Sequence, residues 1–499
     1  MTTMKQHIIL LASAVLTLCS CSDYLKDDSG DLLIPEKVSE YESVLYGEGY
    51  PNDFTDGIEW IDLMTDDAEC STTVHRPSQN QSGDDNSYLA TGRGPFCWAQ
   101  DIEYYITSYS APYENAYSNI MACNIVLENF QTMIGEEQER NYVAAQAYML
   151  RAYSYFCLVN WYGEPYNEAT ADTDLGVVIR THSQVVRDQP QRSSVAEVYE
   201  RINTDLDSAL FLFDNAKKEN NVYKVSKKAT QLLKSRVALY QGKWEDVIKY
   251  GTALSDDDYN LYGIQSKTSS QLSHDVYYNY ISTDNTEVIW MFGGKPSMSY
   301  NPYMYNGGYI NGAAFATSQS SSNGLIHLYG DGDMRIYAFF LQDDDYCWRY
   351  LCYKHWSWTD YSQAFRTSEA LLNVAEASVQ LGDTDEAIRL LNLLRSKRIK
   401  RSRYVALTAA DFSSASDLLD YVRTERRREL CFEENHRWWD LRRYGCPALT
   451  HVFYASKNAS PQTYKLEEGD RNYTLELPKS ELNYNTNIQQ INRRVISAE

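Results

Sequence analysis

The chain has 499 residues, of which 43% are hydrophobic and 23% are charged. These near-average fractions exclude a disordered, collagen-like or coiled-coil chain, and the length predicts one large or two intermixed domains. Lys and Arg total 46 against 68 Asp and Glu, a net charge of −22 that argues against a nucleic-acid partner. The 42 Tyr against 14 Phe indicate many half-solvated rings, as at binding surfaces.

The N-terminus carries a targeting signal. Residues 8–18 form an apolar run that is too short to cross a hydrocarbon core of ~30 Å, and such a run is typical of a signal peptide. It ends at Leu18-Cys19-Ser20-Cys21, which resembles a bacterial lipobox. We expect residues 1–20 to be a lipoprotein signal peptide and a lipid on Cys21 to anchor the protein in a membrane. In the alternative, an ordinary secretory peptide, Cys21 is incidental.

The segment after Cys21 is a polar tether. Its Lys26-Asp27-Asp28 is similar to the signal that sends lipoproteins of Bacteroidetes-type bacteria to the outer cell surface, although it lies a few residues further from the cysteine. We therefore expect a lipid-anchored protein of the outer membrane that faces the outside of the cell.

Several blocks have helical periodicity. Apolar residues recur at helical spacing over 113–130 and 136–161, and Gly163 ends the second block. Ser194-x-x-Glu197 predicts a capping box at the start of a third helix.

Two later blocks resemble tetratricopeptide hairpins. In the first, a helix from Ser226 breaks at Gly242 and a second helix runs to Leu254. The same layout returns over residues 375–391, where Gly382 precedes a capping box that begins at Asp383. Two such hairpins far apart predict a helical scaffold interrupted by insertions.

The insertions are residues 51–112 and about 256–361. Both are rich in Gly, Ser, Asn, Tyr and Trp and lack a helical period, apart from a predicted strand over 287–292. Loops of this length in a compact protein are usually functional.

Taken together, these blocks resemble the SusD/RagB family of nutrient-binding outer-membrane lipoproteins. Besides the lipobox and the hairpins, the resemblance is carried by Leu150-Arg151-Ala152-Tyr153, Tyr162-Gly163-Glu164-Pro165, Glu425-Arg426-Arg427-Arg428-Glu429-Leu430, Arg437-Trp438-Trp439-Asp440-Leu441-Arg442-Arg443 and Leu477-Pro478. Thr486 stands where the family usually has proline.

The resemblance implies a mainly α-helical fold of tetratricopeptide-like hairpins, with loop and short-strand insertions that form the binding face. It divides the mature chain into an N-terminal region, residues 21–255, and a C-terminal region, residues 256–499. It also implies a partner, a SusC-like TonB-dependent β-barrel transporter, and a ligand that is a glycan or, in some members, a peptide.

The aromatic residues of the insertions are the candidate ligand contacts. Sugars stack on flat rings and bind neighbouring amides, and the predicted contacts are Trp98, Tyr303, Tyr305, Tyr309 and Trp356. The best candidate run is residues 300–309, since so many rings without alternation cannot all point inward. The alternative for each ring is packing against the scaffold, and Trp348 and Trp358 are further candidates.

The densest charge cluster runs from Glu425 to Arg443. Glu429 and Glu433 could form a glycosidase pair, but arginines beside them would keep both ionised, which suits an ion-pair network better. The spacing predicts that Glu433 pairs with Arg437 and Arg426 with Glu429 on helix faces.

No cofactor is expected. The cysteines and histidines lack zinc-site spacing. Asp331-Gly332-Asp333 and Asp343-Asp344-Asp345 could supply oxygen ligands to a structural calcium, although neither follows the EF-hand pattern.

The leading hypothesis is a non-catalytic surface lipoprotein that captures oligo- or polysaccharide and delivers it to a TonB-dependent transporter. The alternatives are a peptide-binding uptake lipoprotein and a surface glycoside hydrolase.

Overall fold

A computed structural model describes residues 35–52, 57–72, 87–184, 189–217, 221–272, 279–294, 313–342, 350–352, 354, 361–456 and 458–499. The helices are α1 (Val38–Val44), α2 (Ser87–Phe96), α3 (Ala111–Asn129), α4 (Glu137–Tyr162), α5 (Val195–Asp214), α6 (Lys227–Gln241), α7 (Trp244–Thr252), α8 (Asp256–Tyr259), α9 (Ser269–Leu272), α10 (Arg335–Phe339), α11 (Thr367–Gln380), α12 (Thr384–Arg398), α13 (Ala415–Leu430), α14 (His436–Arg443) and α15 (Lys479–Tyr484).

The strands of the described residues are short and pair two by two. They are β1 (Ala68–Ser71), β2 (Val288–Phe292), β3 (Ala314–Thr317), β4 (Phe340–Gln342), β5 (Tyr350–Cys352), β6 (Gln363–Arg366), β7 (Leu449–Phe453) and β8 (Gln462–Leu466). They form the antiparallel ribbons β1–β3, β2–β6, β4–β5 and β7–β8. The predicted mainly α-helical class with short-strand insertions is confirmed.

The central helix is α4, which packs against α3 on one side and α5 on the other. Its side chains are almost all buried from Tyr142 to Tyr162, and Gly163 follows its last turn. In the capping box of α5, Ser194 Oγ accepts a hydrogen bond from the Glu197 amide at 3.2 Å, and the Glu197 carboxylate accepts one from the Ser194 amide at 2.8 Å. Such a cap stabilises a helix by about 1 kcal/mol. The helices predicted over 113–130 and 136–161 and this capping box are confirmed.

Both predicted hairpins form, and they pack against each other. Gly242 joins α6 to α7 with a φ of 68°, and Gly382 joins α11 to α12 with a φ of 84°, in the left-handed region that favours glycine. Helix α7 packs on α11 at Gly251, where a Cβ atom would lie 2.5 Å from Val374 Cγ2. Hairpins far apart in sequence thus stack through a contact that only glycine permits.

The prediction that both insertions lack helices is wrong. Helix α2 lies in the first insertion, and the short helices α8, α9 and α10 lie in the second. Gly92, Gly94 and Pro95 lower the helix propensity of α2, which is why the pattern gave no helical signal. The glycine has a packing role, because a Cβ on Gly94 would lie 2.5 Å from the ring of Tyr105. Tertiary packing therefore overrides the local preference.

The second insertion contains the strand that residues 287–292 predict. It is β2, and it pairs with β6 so that Trp290 lies opposite Phe365 and Phe292 opposite Gln363. The ribbon connects the insertion directly to α11, which begins where β6 ends.

Charged residues of α13 lie inside the fold. The fully buried Glu429 carboxylate accepts hydrogen bonds from Arg335 at 3.1 Å, Arg366 at 2.9 Å and Arg398 at 2.9 and 3.0 Å. Burial alone would raise the pKa of Glu429, but the charges of Arg398 and Arg366 outweigh it and hold that pKa well below its ordinary value.

The same arginines bind other buried carboxylates. Glu287, just before β2, pairs with Arg366 at 2.9 Å and Arg398 at 2.6 Å. Further into the core, Arg236 of α6 pairs with Glu369 at 2.6 Å and Glu434 at 2.8 Å. We call this set the arginine–glutamate network; its members are Arg236, Arg335, Arg366, Arg398, Glu287, Glu369, Glu429, Glu433 and Glu434.

The predicted ion-pair network is confirmed, but the pairs predicted from helical spacing are wrong. Helix α13 ends at Leu430, so Glu433 lies between helices and pairs with Arg366 at 2.5 Å. Arg437 pairs instead with Asp66 at 2.7 Å, and Arg426 pairs with Asp440 at 2.9 Å. Partners from distant segments replace the neighbours along the helix.

The division of the chain after residue 255 stays a prediction. One buried apolar cluster runs from Val38 to Ile488 and draws on both regions.

Substitution of Glu429, at the centre of the arginine–glutamate network, tests how much the network stabilises the fold. Glu429→Gln removes one charge that faces three buried arginines, and it should lower the free energy of unfolding by about 3–5 kcal/mol in urea denaturation. The matched control is Glu386→Gln, which breaks the solvent-exposed pair with Arg389 and should cost about 1 kcal/mol or less. Equal small losses for both variants would show that the network contributes no more than a surface pair.

Candidate functional site

Most of the predicted ligand contacts lie outside the described residues. These are Tyr303, Tyr305, Tyr309 and Trp356, with Trp348 and Trp358, and the same holds for Cys21. The structure does describe the residues that precede and follow their segments, and the candidate site is built from these residues.

The chain enters segment 295–312 at Gly294, next to the turn that contains Asn52. A Cβ on Gly294 would lie 2.5 Å from the Asn52 carbonyl oxygen, and the residue has a φ of 68°, so glycine is needed on both counts. Ser362 Oγ donates to the Gly293 carbonyl oxygen at 2.8 Å, which ties the start of segment 295–312 to the residues before β6. Tyr361, the residue after segment 355–360, is therefore next to the start of segment 295–312.

Three tyrosines meet next to the start of segment 295–312. Tyr46 and Tyr361 share a hydrogen bond between their hydroxyls at 2.7 Å, and the rings of Tyr223 and Tyr361 stack with centroids 5.1 Å apart. Tyr46 is 40% exposed and Tyr223 is 37% exposed. Asn52 Nδ2 donates to the Tyr46 carbonyl oxygen at 3.0 Å. We call Tyr46, Tyr223 and Tyr361 the tyrosine patch.

A column of rings connects the tyrosine patch to the core. Tyr46 packs on the buried Tyr50 at 5.4 Å, Tyr50 packs edge-on against Trp290 at 6.3 Å, and Trp290 stacks on Phe292 at 4.3 Å. The Tyr50 hydroxyl donates to Gln146 Oε1 and accepts from the Val225 amide at 2.9 Å. Burial raises the pKa of Tyr50 well above its ordinary value, so this hydroxyl keeps its proton.

A small cavity of about 200 Å³ lies next to the Asn52 turn and is lined by Tyr50, the ring on which Tyr46 packs, although the three patch tyrosines do not line it. Its wall combines the side chains of Asn52, Asn115 and Asn119 with the rings of Tyr50 and Trp161. We call this cavity the amide pocket. Rings with neighbouring amides are the groups that bind the faces and the hydroxyls of a sugar.

The other end of segment 295–312 lies at a different surface. Ala314 of β3 pairs with Ser71 of β1, and a groove of about 470 Å³ runs beside this ribbon. The Glu69 carboxylate in its wall accepts hydrogen bonds from the amides of Gln319 and Ser320 at 2.9 and 2.8 Å, so it holds the loop after β3. The tyrosine-rich segment thus starts at the tyrosine patch and ends at this groove.

Trp98 is a core residue, which makes its prediction as a ligand contact wrong. Its side chain is fully buried, and its Nε1 donates to the Met64 carbonyl oxygen at 2.9 Å. The ring stacks on His451 at 4.1 Å, and Phe96 stacks on the other face of that imidazole at 4.2 Å. Burial lowers the pKa of His451 to about 4 and so favours the neutral ring between the two aromatics.

The glycosidase pair considered for Glu429 and Glu433 does not have the geometry of an active site. Both carboxylates are buried and bound by arginines, so neither faces a cleft where a sugar could reach it. The low pKa of Glu429 also leaves it without a proton to donate near neutral pH.

The aspartates considered for calcium have other partners. Asp331 pairs with Arg403 at 3.3 Å, and Asp333 pairs with Arg335 at 2.7 Å. Asp343, Asp344 and Asp345 lie outside the described residues. Within the part of the chain that the structure describes, no group of three or more His, Cys, Asp or Glu could hold a metal ion.

The tyrosine patch was missed by sequence reasoning because its three members come from distant segments. Tyr46 precedes Gly47 and Tyr223 lies two residues after Asn221, as loop residues often do, and only Tyr361 belongs to the predicted insertions. The ring-rich composition was the one available signal.

Comparison with known proteins gives the family. A model of the SusD family matches residues 352–494, and a model described as starch-binding, associating with the outer membrane, matches residues 59–239. SusD-like protein P2 of Formosa agariphila is 23% identical over 98% of this chain and 99% of its own length.

Solved structures share the fold. A putative sugar-binding protein from Bacteroides vulgatus superposes with a TM-score of 0.69 at 22% identity, covering 92% of this chain and 99% of that one. A SusD superfamily protein from Bacteroides thetaiotaomicron gives 0.66 at 21% identity, covering 92% and 100%. The chain belongs to the SusD/RagB family, and one of the two matching models describes starch binding in association with the outer membrane. Among the described helices, none is long and apolar enough to cross a bilayer.

The place of Trp98 in the core can be tested by truncation. Trp98→Ala should lower the free energy of unfolding by about 3–5 kcal/mol, because it leaves a large cavity beside His451 and Phe96. The control Tyr104→Ala removes a largely exposed ring and should change stability by about 0.5 kcal/mol or less. Normal stability of Trp98→Ala with lost ligand binding would return Trp98 to the binding face.

Proposed function

We propose that this protein is a non-catalytic lipoprotein of the cell surface that captures oligo- or polysaccharide and delivers it to a TonB-dependent outer-membrane transporter. The observation that carries the proposal is the tyrosine patch with the nearby amide pocket, at the point where the tyrosine-rich segment begins. Family membership supports the glycan class of ligand.

The chemistry of the site suits a sugar. The C–H faces of a pyranose pack on aromatic rings, and its hydroxyls need donors and acceptors nearby. Tyr46 and Tyr223 offer partly exposed rings, and Asn115 and Asn119 offer amides within the nearby cavity. The rings are preorganised by the column beneath them, which reduces the entropy lost on binding.

Residues of the neighbouring segments complete the site in this proposal. Tyr303, Tyr305 and Tyr309 follow Gly294, and Trp356 precedes Tyr361 by a few residues. Segment 295–312 begins next to the tyrosine patch, and segment 355–360 is followed by Tyr361 of that patch, which supports a role for these residues as further stacking rings.

The absence of catalysis belongs to the proposal as well. Glycoside hydrolysis ordinarily uses two carboxylates on either side of the scissile bond. Among the described residues that line the amide pocket, Glu48 is the one carboxylate. Binding without cleavage suits a protein that passes its ligand on to a transporter.

The lipobox supports the anchor, and the resemblance to the SusD/RagB family supports the partner. A lipid on Cys21 would hold the protein on the outer membrane, facing the outside of the cell, and the acidic tether after it supports that address. A SusC-like β-barrel is the proposed recipient of the glycan.

Single-ring variants test the binding site. After an array of neutral polysaccharides has identified a ligand, Tyr46→Ala and Tyr223→Ala should each weaken its binding by about fivefold or more in calorimetric titration, as expected for the loss of a ring that contributes about 1 kcal/mol or more. Tyr46→Phe, which keeps the ring, should bind within about twofold of the unaltered protein.

The control is Tyr104→Ala, an exposed tyrosine outside the site, which should bind normally. Normal binding by both patch variants would place the site elsewhere. Binding of peptides in preference to every glycan on the array would favour the peptide alternative.

A further inference from the structure

A third cavity, of about 490 Å³, lies along α3. Tyr117 and Met121 of α3 form one wall, Arg180 of the loop before α5 forms another, and Glu481 and Tyr484 of α15 close it. We call it the α3 groove. Asn115 and Asn119 of the same helix line the amide pocket and Ser118 lines both cavities, so the two cavities lie side by side along α3.

The groove presents apolar surface to solvent. Tyr484 is 60% exposed and Met121 is 40% exposed. Deeper in the wall, the rings of Tyr113 and Tyr117 pack together with centroids 4.7 Å apart. A ring at the rim and rings in the wall give a ligand more than one face to stack on.

The loop that carries Arg180 is held rigidly. The Tyr155 hydroxyl donates to the Arg180 carbonyl oxygen at 2.6 Å and accepts from the Arg180 amide at 2.7 Å. The Tyr117 hydroxyl donates to the Val178 carbonyl oxygen at 2.8 Å, and Asn124 Nδ2 donates to the Arg180 carbonyl oxygen at 3.1 Å. The wall is therefore formed before any ligand arrives, which lowers the cost of binding.

Two planar charged groups of opposite sign face the groove. Burial raises the pKa of the half-buried Glu481. The hydrogen bond with Asn485 and the charge of Arg180 both act to lower that pKa, but burial outweighs them. A guanidinium donates hydrogen bonds and a carboxylate accepts them. The two groups together can therefore bind a sugar hydroxyl both as an acceptor and as a donor. Glu114 lines the groove as well, so one guanidinium and two carboxylates surround a ligand, and this acidic balance disfavours an anionic one.

We propose that the α3 groove is a second glycan-binding site, which takes a neutral oligosaccharide of two or three sugar units. Its volume is within the range of small-molecule sites, and its combination of rings, guanidinium and carboxylate is suited to a ligand rich in hydroxyls and C–H faces. The inference rests on the proposed function, because it assumes that glycans are the ligand class. Two sites on one protein would raise the avidity for a polysaccharide above the affinity of either site.

Binding stoichiometry tests the inference. The intact protein is titrated calorimetrically with a panel of neutral trisaccharides: maltotriose, cellotriose, xylotriose and laminaritriose. The proposal predicts two trisaccharides per protein for the one that binds, and one for Tyr484→Ala, which retains the tyrosine-patch site. Met121→Gln, a second exposed change in the groove, should weaken the same site by about fivefold or more.

The matched control is Phe211→Ala, which removes a ring of α5 that is 70% exposed and lies outside both cavities. It should keep two sites. One site in the unaltered protein, insensitive to Tyr484→Ala and lost in Tyr223→Ala, would overturn the second site and leave the proposed function standing.

Two further outcomes would overturn the second glycan-binding site. If no trisaccharide and no polysaccharide binds the unaltered protein, the proposed function fails, and the inference fails with it. If Tyr484→Ala keeps both trisaccharides but lowers association with outer-membrane vesicles, the groove is a protein-docking surface and the inference is overturned.

Discussion

The fold depends on the pairing of buried arginines with buried glutamates. Removing a guanidinium or a carboxylate from water costs several kcal/mol, so each must be offset by close opposite charges and hydrogen bonds. Glu429 meets this condition with three arginines, which come from α10, the end of β6 and the end of α12. Because those segments are far apart in sequence, the network specifies how the second insertion attaches to the helical hairpins.

The proposed binding face depends on the same network. Glu434 pairs with Arg236, and its carboxylate also accepts a hydrogen bond from the Tyr153 hydroxyl at 2.6 Å. The Tyr153 ring packs edge-on against Trp290 at 5.7 Å, in the column that leads to the tyrosine patch. Burial would raise the pKa of Glu434, but the charge of Arg236 and the contact with His436 lower it to about 2. Ion pairs in the core thus position rings at the surface.

Local patterns predicted the scaffold better than the site. The period of α4, the cap at Ser194 and the turn at Gly242 depend on neighbours along the chain, so the sequence shows them directly. Trp98 stacks on His451, more than three hundred positions away, and Glu433 pairs with Arg366, which is 67 positions away, and local spacing reveals neither contact. The tyrosine patch combines residues 46, 223 and 361, and only the folded chain brings them together.

The central claim is that the ring column presents the tyrosine patch as a surface for glycan. Oxidative footprinting by mass spectrometry, performed on the intact protein with and without a saturating polysaccharide ligand, tests this most directly. The account predicts that glycan lowers modification of Tyr46, Tyr223 and Tyr361, while Tyr104 reacts equally in both states. Unchanged modification of all three patch tyrosines in the presence of bound glycan would contradict it.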